Sequence, residues 1–355
     1  MKALILAGGT GSRLRPLTYT SAKQLIPIAN KPILFYAVEA IRDAGITEIG
    51  VILGDTADEV MEALGEGNQF GVKFTFIRQD APLGLAHAVL TAEDFLGDSP
   101  FLMFLGDNLI AAGVTHLVDQ FRANQPDAMV LLSRVPEPQR FGVVELKDGR
   151  VVRLVEKPKV PPSDLALVGV YLFQSKILEA CRSIAPSARG ELEITDAIQW
   201  LVDQGLWVDP SIVEGWWKDT GKPEDVLAAN HLVLDVMEGR IEGQVCPESD
   251  VSGRVVIESG ARVIRSTIRG PVTIGSGATI EDAYIGPYTA IAREVVVSHS
   301  EVENSILLDG SVIKDVNGRI DSSLLGRNAR IEAAKGKPQV TKLVLGDNSR
   351  IWTRS

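Results

Sequence analysis

Residues 6–18 read Leu6-Ala7-Gly8-Gly9-Thr10-Gly11-Ser12-Arg13-Leu14-Arg15-Pro16-Leu17-Thr18, and Lys23-Gln24-Leu25-Ile26-Pro27-Ile28 follow closely. The preceding run Ala3–Ala7 is apolar and has the length of a buried strand. It delivers three glycines within four residues and then the cations Arg13, Arg15 and Lys23. Glycine lets backbone N–H groups turn toward a ligand with no side chain in the way. The cations supply the charge that a polyphosphate requires. The segment predicts a strand and a loop that cradles a nucleoside triphosphate. Taken alone, the same glycines would also serve a plain strand-to-helix turn.

Two phosphate-loop patterns do not fit. The Walker A pattern ends in Gly-Lys-Ser/Thr, which is absent here, and the dinucleotide fingerprint needs glycine where Leu14 stands. The segment instead resembles the signature of the sugar-phosphate nucleotidyltransferases. That signature is a strand ending Leu-Ala-Gly-Gly, then Gly-Thr-Arg-Leu, Pro-Leu-Thr, and a lysine ahead of an apolar-Pro-Ile. Ser12 takes the usual threonine position, and the rest is kept. The resemblance covers essentially the whole chain. It implies Leu6, Gly8, Gly9, Gly11, Arg13, Lys23 and Gln24 as nucleotide-binding residues.

A length of 355 residues predicts two domains, and 45% hydrophobic content fits a soluble, globular protein. No stretch reaches the roughly 18 uninterrupted apolar residues of a membrane span. The first strand begins at the N-terminus, so a signal peptide is not expected. Cys181 and Cys246 suggest no disulfide framework and fit a reducing cytoplasm. His87, His116, His231 and His299 are scattered without zinc-ligand spacing. The net charge of −10 argues against a nucleic-acid partner. A chain that repels anions overall must concentrate positive charge locally to hold phosphates, which sharpens the case for the cations behind the first strand.

From residue 1 to about 235, short apolar runs alternate with helical stretches. Ala3–Ala7, Ile49–Leu53, Lys73–Ile77, Phe101–Leu105 and Ala128–Leu132 read as strands buried on both faces. Pro32–Ala44, Ala57–Leu64, Leu85–Phe95 and Val114–Asn124 read as helices, with Thr56 and Asp58 as caps. The alternation predicts an α/β fold with a mostly parallel, doubly wound, Rossmann-like sheet. Ligands of such sheets sit at the carboxyl ends of the strands, where Gly8–Arg15 would lie.

Beyond Gly243 aromatics almost vanish. Ile257, Val263, Ile268, Ile274, Ile280, Ile285, Ile291 and Val297 recur in steps of six or five, returning after 17 residues. Neither a helix nor an alternating strand has that period. It is the hexapeptide signature of a parallel β-helix; the resemblance implies the left-handed form. The spacing loosens after Val302, Lys335–Pro338 reads as an interrupting loop, and Leu343–Ile351 as a capping strand. The expected division is a catalytic domain over 1–240 and a β-helix over 241–355.

Phe101–Leu105 is followed by Gly106-Asp107-Asn108. Its carboxyl end places Asp107 at the same sheet edge as the phosphate loop, although Gly-Asp-Asn also suits a simple turn. The resemblance implies that Asp107 holds magnesium. It implies that Asp219, in Trp216-Trp217-Lys218-Asp219-Thr220-Gly221, completes the metal site. Two hard oxygen ligands, with phosphates and waters, are how magnesium is generally held. Without that role Asp219 would be an N-cap or a turn residue before a helix over Pro223–Leu234.

Three further segments resemble the half of these enzymes that holds the sugar phosphate: Arg140–Val144, Glu156-Lys157-Pro158 and Ser187–Asp196. The resemblance implies Lys157 and Arg189 on the sugar phosphate, and Glu156 on sugar hydroxyls beside backbone at Gly142 and Val168. In other settings Glu156–Lys157 would be a solvated ion pair and Glu191–Glu193 the start of a helix. Phe141 replaces a tyrosine found in some relatives.

Gln79 and Gly84, in Arg78–Ala86, are expected to read the base, since a glutamine amide can pair with a carbonyl and an N–H of a pyrimidine. Ala22 stands where uridylyl- and guanylyl-transferring relatives tend to carry proline. Ala22-Lys23-Gln24 and Gly190–Asp196 resemble the branch that acts on dTTP and glucose 1-phosphate. Thymine and uracil show Gln79 the same edge, and a methyl in an apolar pocket is worth only about 1–3 kcal/mol, so some use of UTP is expected.

The implied reaction needs no general base or covalent intermediate, because the sugar phosphate oxygen is already anionic. Positioning and electrostatics carry it. Arg13 would serve the departing phosphates, Lys23 the α-phosphate, Lys157 and Arg189 the nucleophile, and magnesium on Asp107 and Asp219 the triphosphate. Three alternatives stay open: a uridylyltransferase, an added acetyltransferase in the β-helix, and a non-catalytic binding homologue. The acetyltransferase would have to use His299, the one histidine of the coil, which has no recognisable partner in the sequence. A homo-oligomer is expected, with the β-helix a structural appendage that stacks subunits or protects the sheet edge.

Overall fold

Strands β1 (Lys2–Leu6), β2 (Glu48–Leu53), β3 (Lys73–Arg78) and β4 (Phe101–Leu105) lie in the order β3-β2-β1-β4 and all run parallel, Ala3 facing Ile49 and Leu102. Their carboxyl ends therefore share one edge. The chain leaves them there as Gly8, Gly54, Gln79 and Gly106-Asp107. The structure is a computed structural model that describes residues 1–333. The expected loop at 335–338 and capping strand at 343–351 lie outside the described residues.

Alternate residues of each central strand enter different cores. Ile5, Val51 and Phe104 pack on one face of the sheet, and Leu4, Ile52 and Met103 on the other. That is why the apolar runs are continuous rather than alternating. β3 departs from the expectation of burial on both faces: Lys73, Thr75 and Arg78 are exposed and the others only half-buried, in a strand that pairs only with β2 and forms the sheet edge.

The other half of the sheet is built on a strand that the alternation did not reveal and that runs antiparallel to its neighbours. Strands β5 (Ala128–Arg134), β6 (Gly142–Lys147), β7 (Arg150–Glu156), β8 (Leu165–Phe173) and β9 (Val208–Ile212) complete nine. β8 is buried at all nine positions and pairs antiparallel with β4, β5 and β6. The sheet is mixed, its parallel half carrying the loops described above.

Helices form over Ile33–Asp43, Ala57–Leu64 and Thr115–Asn124. The stretch expected as one helix over Leu85–Phe95 divides at Ala92 into Leu85–Thr91 and Glu93–Leu96. Thr56 occupies its N-cap position without a side-chain capping bond. Asp58 and Glu59 sit in that helix's first turn, where the helix dipole favours negative charge. These elements belong to a compact unit of residues 1–11, 21–25 and 33–219.

The second unit takes in 12–20, 26–32 and the chain from Thr220 onward. Its body is the expected left-handed parallel β-helix, three sheets of six, six and five short strands. Val255, Val272 and Thr289 stack in register at the 17-residue repeat. All eight residues picked out by spacing are fully buried. The coil continues past Val302 with Leu307 and Ile313 fully buried, and its strands run to Glu332. Helix Pro223–Val236 and the hairpin Pro27–Ile28/Lys31–Pro32 belong to the same unit. Buried Asn230 ties them together, accepting from Ala29 N at 2.9 Å and donating to Tyr288 O at 3.0 Å. Among the described residues no helix is long and apolar enough to cross a membrane.

Candidate active site

At the carboxyl edge of the parallel strands, the loop after β1 meets the loop after β2 backbone to backbone. A Cβ on Gly54 would stand 2.6 Å from Gly8 O, so only glycine fits. A Cβ on Gly9 would stand 3.3 Å from Lys23 Cε and 3.7 Å from Gln24 Nε2. Lys23 and Gln24 therefore lie across the glycine loop. Their turn is pinned by Glu59, whose Oε2 accepts from Ala22 N at 2.6 Å. Gln24 is buried, and its Oε1 has no hydrogen-bond partner among the described residues. A buried acceptor left without a donor costs stability unless a ligand supplies one. Leu6 ends β1 with its carbonyl taken by Gly106 N at 3.0 Å. Gly11 adopts φ +62°. Arg13 belongs to the second unit, exposed on the single turn Ser12–Leu14.

Lys23 Nζ donates to Asp107 Oδ2, pairing an ammonium and a carboxylate that are 15% and 13% exposed. Asn108 Nδ2 donates to the other oxygen at 3.0 Å. Burial pushes the Asp107 carboxyl up, but the charge and hydrogen bond of Lys23, with backbone and Asn108 donors, outweigh it and hold it below the usual carboxylate range. Asp219 lies directly across the ladder from Asn108, on the short strand Trp217–Asp219. Asp107 ends the turn that precedes the strand Asn108–Ile110, so Asn108 stands between the two expected metal ligands, next to Asp107 in the chain and opposite Asp219 in the ladder. Hard carboxylate oxygens suit a divalent cation that draws its other ligands from phosphates and water. Among the described residues no cluster of three or more His, Cys, Asp or Glu could hold a metal unaided.

The acceptor half gathers around Glu156 at the end of β7. Its Oε2 accepts from Thr195 Oγ1 at 2.7 Å, and its Oε1 lies 3.2 Å from Arg189 and 3.4 Å from Lys157 Nζ. Gly142 faces it, because a Cβ there would stand 2.8 Å from Thr195 Oγ1 and 3.1 Å from Glu156 Oε2. Lys157 adopts φ +43°, uncommon for a lysine, with its backbone N bound to Phe141 O. Val168, expected to offer its backbone to the sugar, is fully buried within β8. Arg189 is drawn to three carboxylates, those of Glu156, Glu191 and Glu193. Glu193 stands at the N-cap of helix Ile194–Asp203 without capping it; its Oε1 instead takes Ser187 Oγ and Arg189, both at 2.7 Å.

Gln79 and Gly84 come together, Gln79 Nε2 standing 3.3 Å from Gly84 O and 2.8 Å from His87 Nδ1. Gly84 adopts φ +106°, and a Cβ there would overlap Leu192 O. Leu192 N also donates to Leu83 O at 2.7 Å, which binds the base loop to the acceptor loop.

Sequence reasoning missed Glu59, His87, Thr195, and Trp217 as more than context. Thr195 and Trp217 lie inside motif segments but act through partners 39 and 109 residues away. Glu59 reaches Ala22 across 37 residues, and His87 meets Gln79 eight residues back. His299, expected to lack a partner, has Asp282 Oδ2 at 3.6 Å and Asp315 Oδ1 at 3.3 Å, one to each ring nitrogen. This column of charge runs along one corner of the coil, where Arg265 also pairs with Asp282.

Residues 2–236 match the nucleotidyl transferase family. The chain is 54% identical over 351 residues to a glucose-1-phosphate thymidylyltransferase of Streptomyces griseus, covering 99% of each. It is 53% identical over 357 residues to one of Streptomyces antibioticus, covering both in full. A solved Bacillus anthracis protein, described as a glucose-1-phosphate thymidylyltransferase in complex with sucrose, superposes with a TM-score of 0.63 at 39% identity, covering 68% of this chain and 98% of that one. With its glycine loop, paired carboxylates and β-helix all in place, the chain belongs to the nucleotidyl transferase family.

Proposed function

We propose that this protein joins dTTP and glucose 1-phosphate, giving dTDP-glucose and pyrophosphate, with residues 1–240 catalytic and 241–355 forming the β-helix domain. The observation that carries the proposal is the Lys23–Asp107–Asn108 chain at the carboxyl edge of the sheet, with Asp219 across the ladder. It belongs to a chain aligned end to end with thymidylyltransferases.

Members of this family use a divalent metal. Asp107 and Asp219 would hold it, as magnesium, and when bound it would neutralise charge on the triphosphate. Gly8, Gly9 and Gly11 turn backbone toward the phosphates, and Gln24 Oε1 takes a donor from the nucleotide. Lys23, between Asp107 and the glycine loop, would serve the α-phosphate. Arg13 serves the departing pyrophosphate. On the acceptor side Glu156, aligned by Thr195, accepts from sugar hydroxyls. Lys157 and Arg189 hold the phosphate whose oxygen attacks the α-phosphorus in line. Arg189 exchanges carboxylate partners for phosphate as the sugar enters. No side chain needs to remove a proton, so rate comes from holding two anions together.

Magnesium-dependent pyrophosphate release from glucose 1-phosphate, with dTTP and UTP in parallel, tests the proposal. Preference for dTTP with weaker UTP use is expected; UTP preference would move the chain to the uridylyltransferases. Asp107→Asn should lower turnover by about 10²–10³ without unfolding the protein. Near-parental turnover would remove Asp107 from the metal site.

A further inference from the structure

Gly84 O can only accept, so the Gln79 side-chain atom 3.3 Å from it is the amide nitrogen. That carbonyl is itself held in place by Ala88 N at 3.2 Å, in the first turn of the following helix. The second hydrogen of the same NH₂ meets His87 Nδ1 at 2.8 Å, so that ring nitrogen must be an acceptor and the ring's proton must sit on Nε2. Both amide hydrogens are spent inside the protein. Gln79 Oε1 accepts no bond from the described residues and is the amide's remaining polar atom. We infer that His87 is a positioning residue that locks Gln79 with its carbonyl oxygen toward the ligand, making the base pocket selective for pyrimidines that carry an imino N–H.

The inference rests on the base-reading role proposed above for Gln79. It narrows that role. An amide free to turn could match either a donor or an acceptor on a base edge. Locked by His87, it matches a donor only. Thymine and uracil present N3–H; cytosine presents N3 as a bare acceptor, and two acceptors would then face each other. A buried polar mismatch of that kind discriminates far better than a methyl group does. His87 lies three residues past Gly84, on the first turn of helix Leu85–Thr91, so the helix that anchors the loop carries the lock.

The test compares kcat/KM for dTTP and dCTP, with magnesium and saturating glucose 1-phosphate, in the full-length protein and three variants. His87→Leu should lower the dTTP:dCTP ratio by about tenfold, as one hydrogen bond sets the amide's orientation, with the loss carried by KM for dTTP. His87→Asn, whose Oδ1 can stand where Nδ1 stood, should retain most of the ratio. Gln79→Leu should lower it at least as far as His87→Leu. A reduced ratio in Gln79→Leu beside a parental ratio in His87→Leu would overturn the role of His87. A parental ratio in Gln79→Leu would overturn base reading by Gln79 itself. Nitrogen-15 spectra of the histidine rings give a reading that needs no variant to fold. His87 with an unprotonated Nδ1 is expected with and without dTTP, and a proton on Nδ1 would overturn the lock.

Discussion

Trp217 Nε1 donates to Asn108 Oδ1 at 2.6 Å, across 109 residues of chain. The indole N–H can only donate, so it decides which way the buried Asn108 amide faces and hence that Nδ2 points to Asp107. Trp217→Phe keeps the ring and its edge contact with Phe141 but frees the amide. Turnover is expected to fall about tenfold, the worth of one oriented hydrogen bond, with a higher magnesium requirement. A magnesium titration identical to the parent's would show that Trp217 only packs.

Gly84→Ala combines a positive φ with overlap on the Leu192 backbone. The strain alone is worth about 1–3 kcal/mol. The thermal midpoint should drop by several degrees and the KM for dTTP should rise, because the base loop and Leu192 move together. An unaltered midpoint would mean that the loop relaxes freely.

Asp196 sits in the first turn of its helix, yet burial first, then the charges of Glu193 and Glu156, raise its carboxyl above the ordinary 3.8. In the window above 3.8 the folded state holds that proton more tightly than the unfolded chain does. Its contribution is therefore fully present below that pH and lost as pH rises through the folded value. Asp196→Asn should unfold at a higher temperature than the parent at pH 7, by about 1–2 °C at this half-exposed site, and the gap should close in acid. A gap that is independent of pH would exclude the charge as its source.

Cys181 is buried, and burial pushes its thiol up to about 12 against the weaker opposing charge of Arg182. Cys246 is part-exposed, with Sγ 3.1 Å from Ser249 Oγ. A disulfide reagent should titrate one thiol in the native protein and the second only after denaturation. Two fast thiols would mean that helix Lys176–Ser183 opens readily.

Much of the fold was legible because burial leaves a period. The five- and six-residue steps from Ile257 to Val297 had one geometric solution, and all eight residues point into the coil. The continuous apolar runs of β1, β2 and β4 likewise announced strands covered on both faces, and the glycines of residues 8–11 announced a close approach. β3 misled for lack of a sign in its own composition: the same apolar content serves an edge strand, and only its single neighbour exposes it.

The candidate site was legible as residues but not as an arrangement. Composition and motif singled out Lys23, Asp107, Asp219, Gln79 and Glu156. They could not show that Lys23 spans 84 residues to reach Asp107, or that Asn108 links Asp107 to the strand of Asp219. Nor could they show that Arg189 waits among three carboxylates, or that His87 orients Gln79. Such contacts follow no period, since a hydrogen bond between distant segments depends on where the sheet delivers each chain end. Local propensity and hydrophobic spacing, both carried by neighbouring residues, are what the sequence by itself determined. The orientation of each amide, ammonium and carboxylate was decided only by tertiary structure, because directional polar contacts form once packing has fixed both partners.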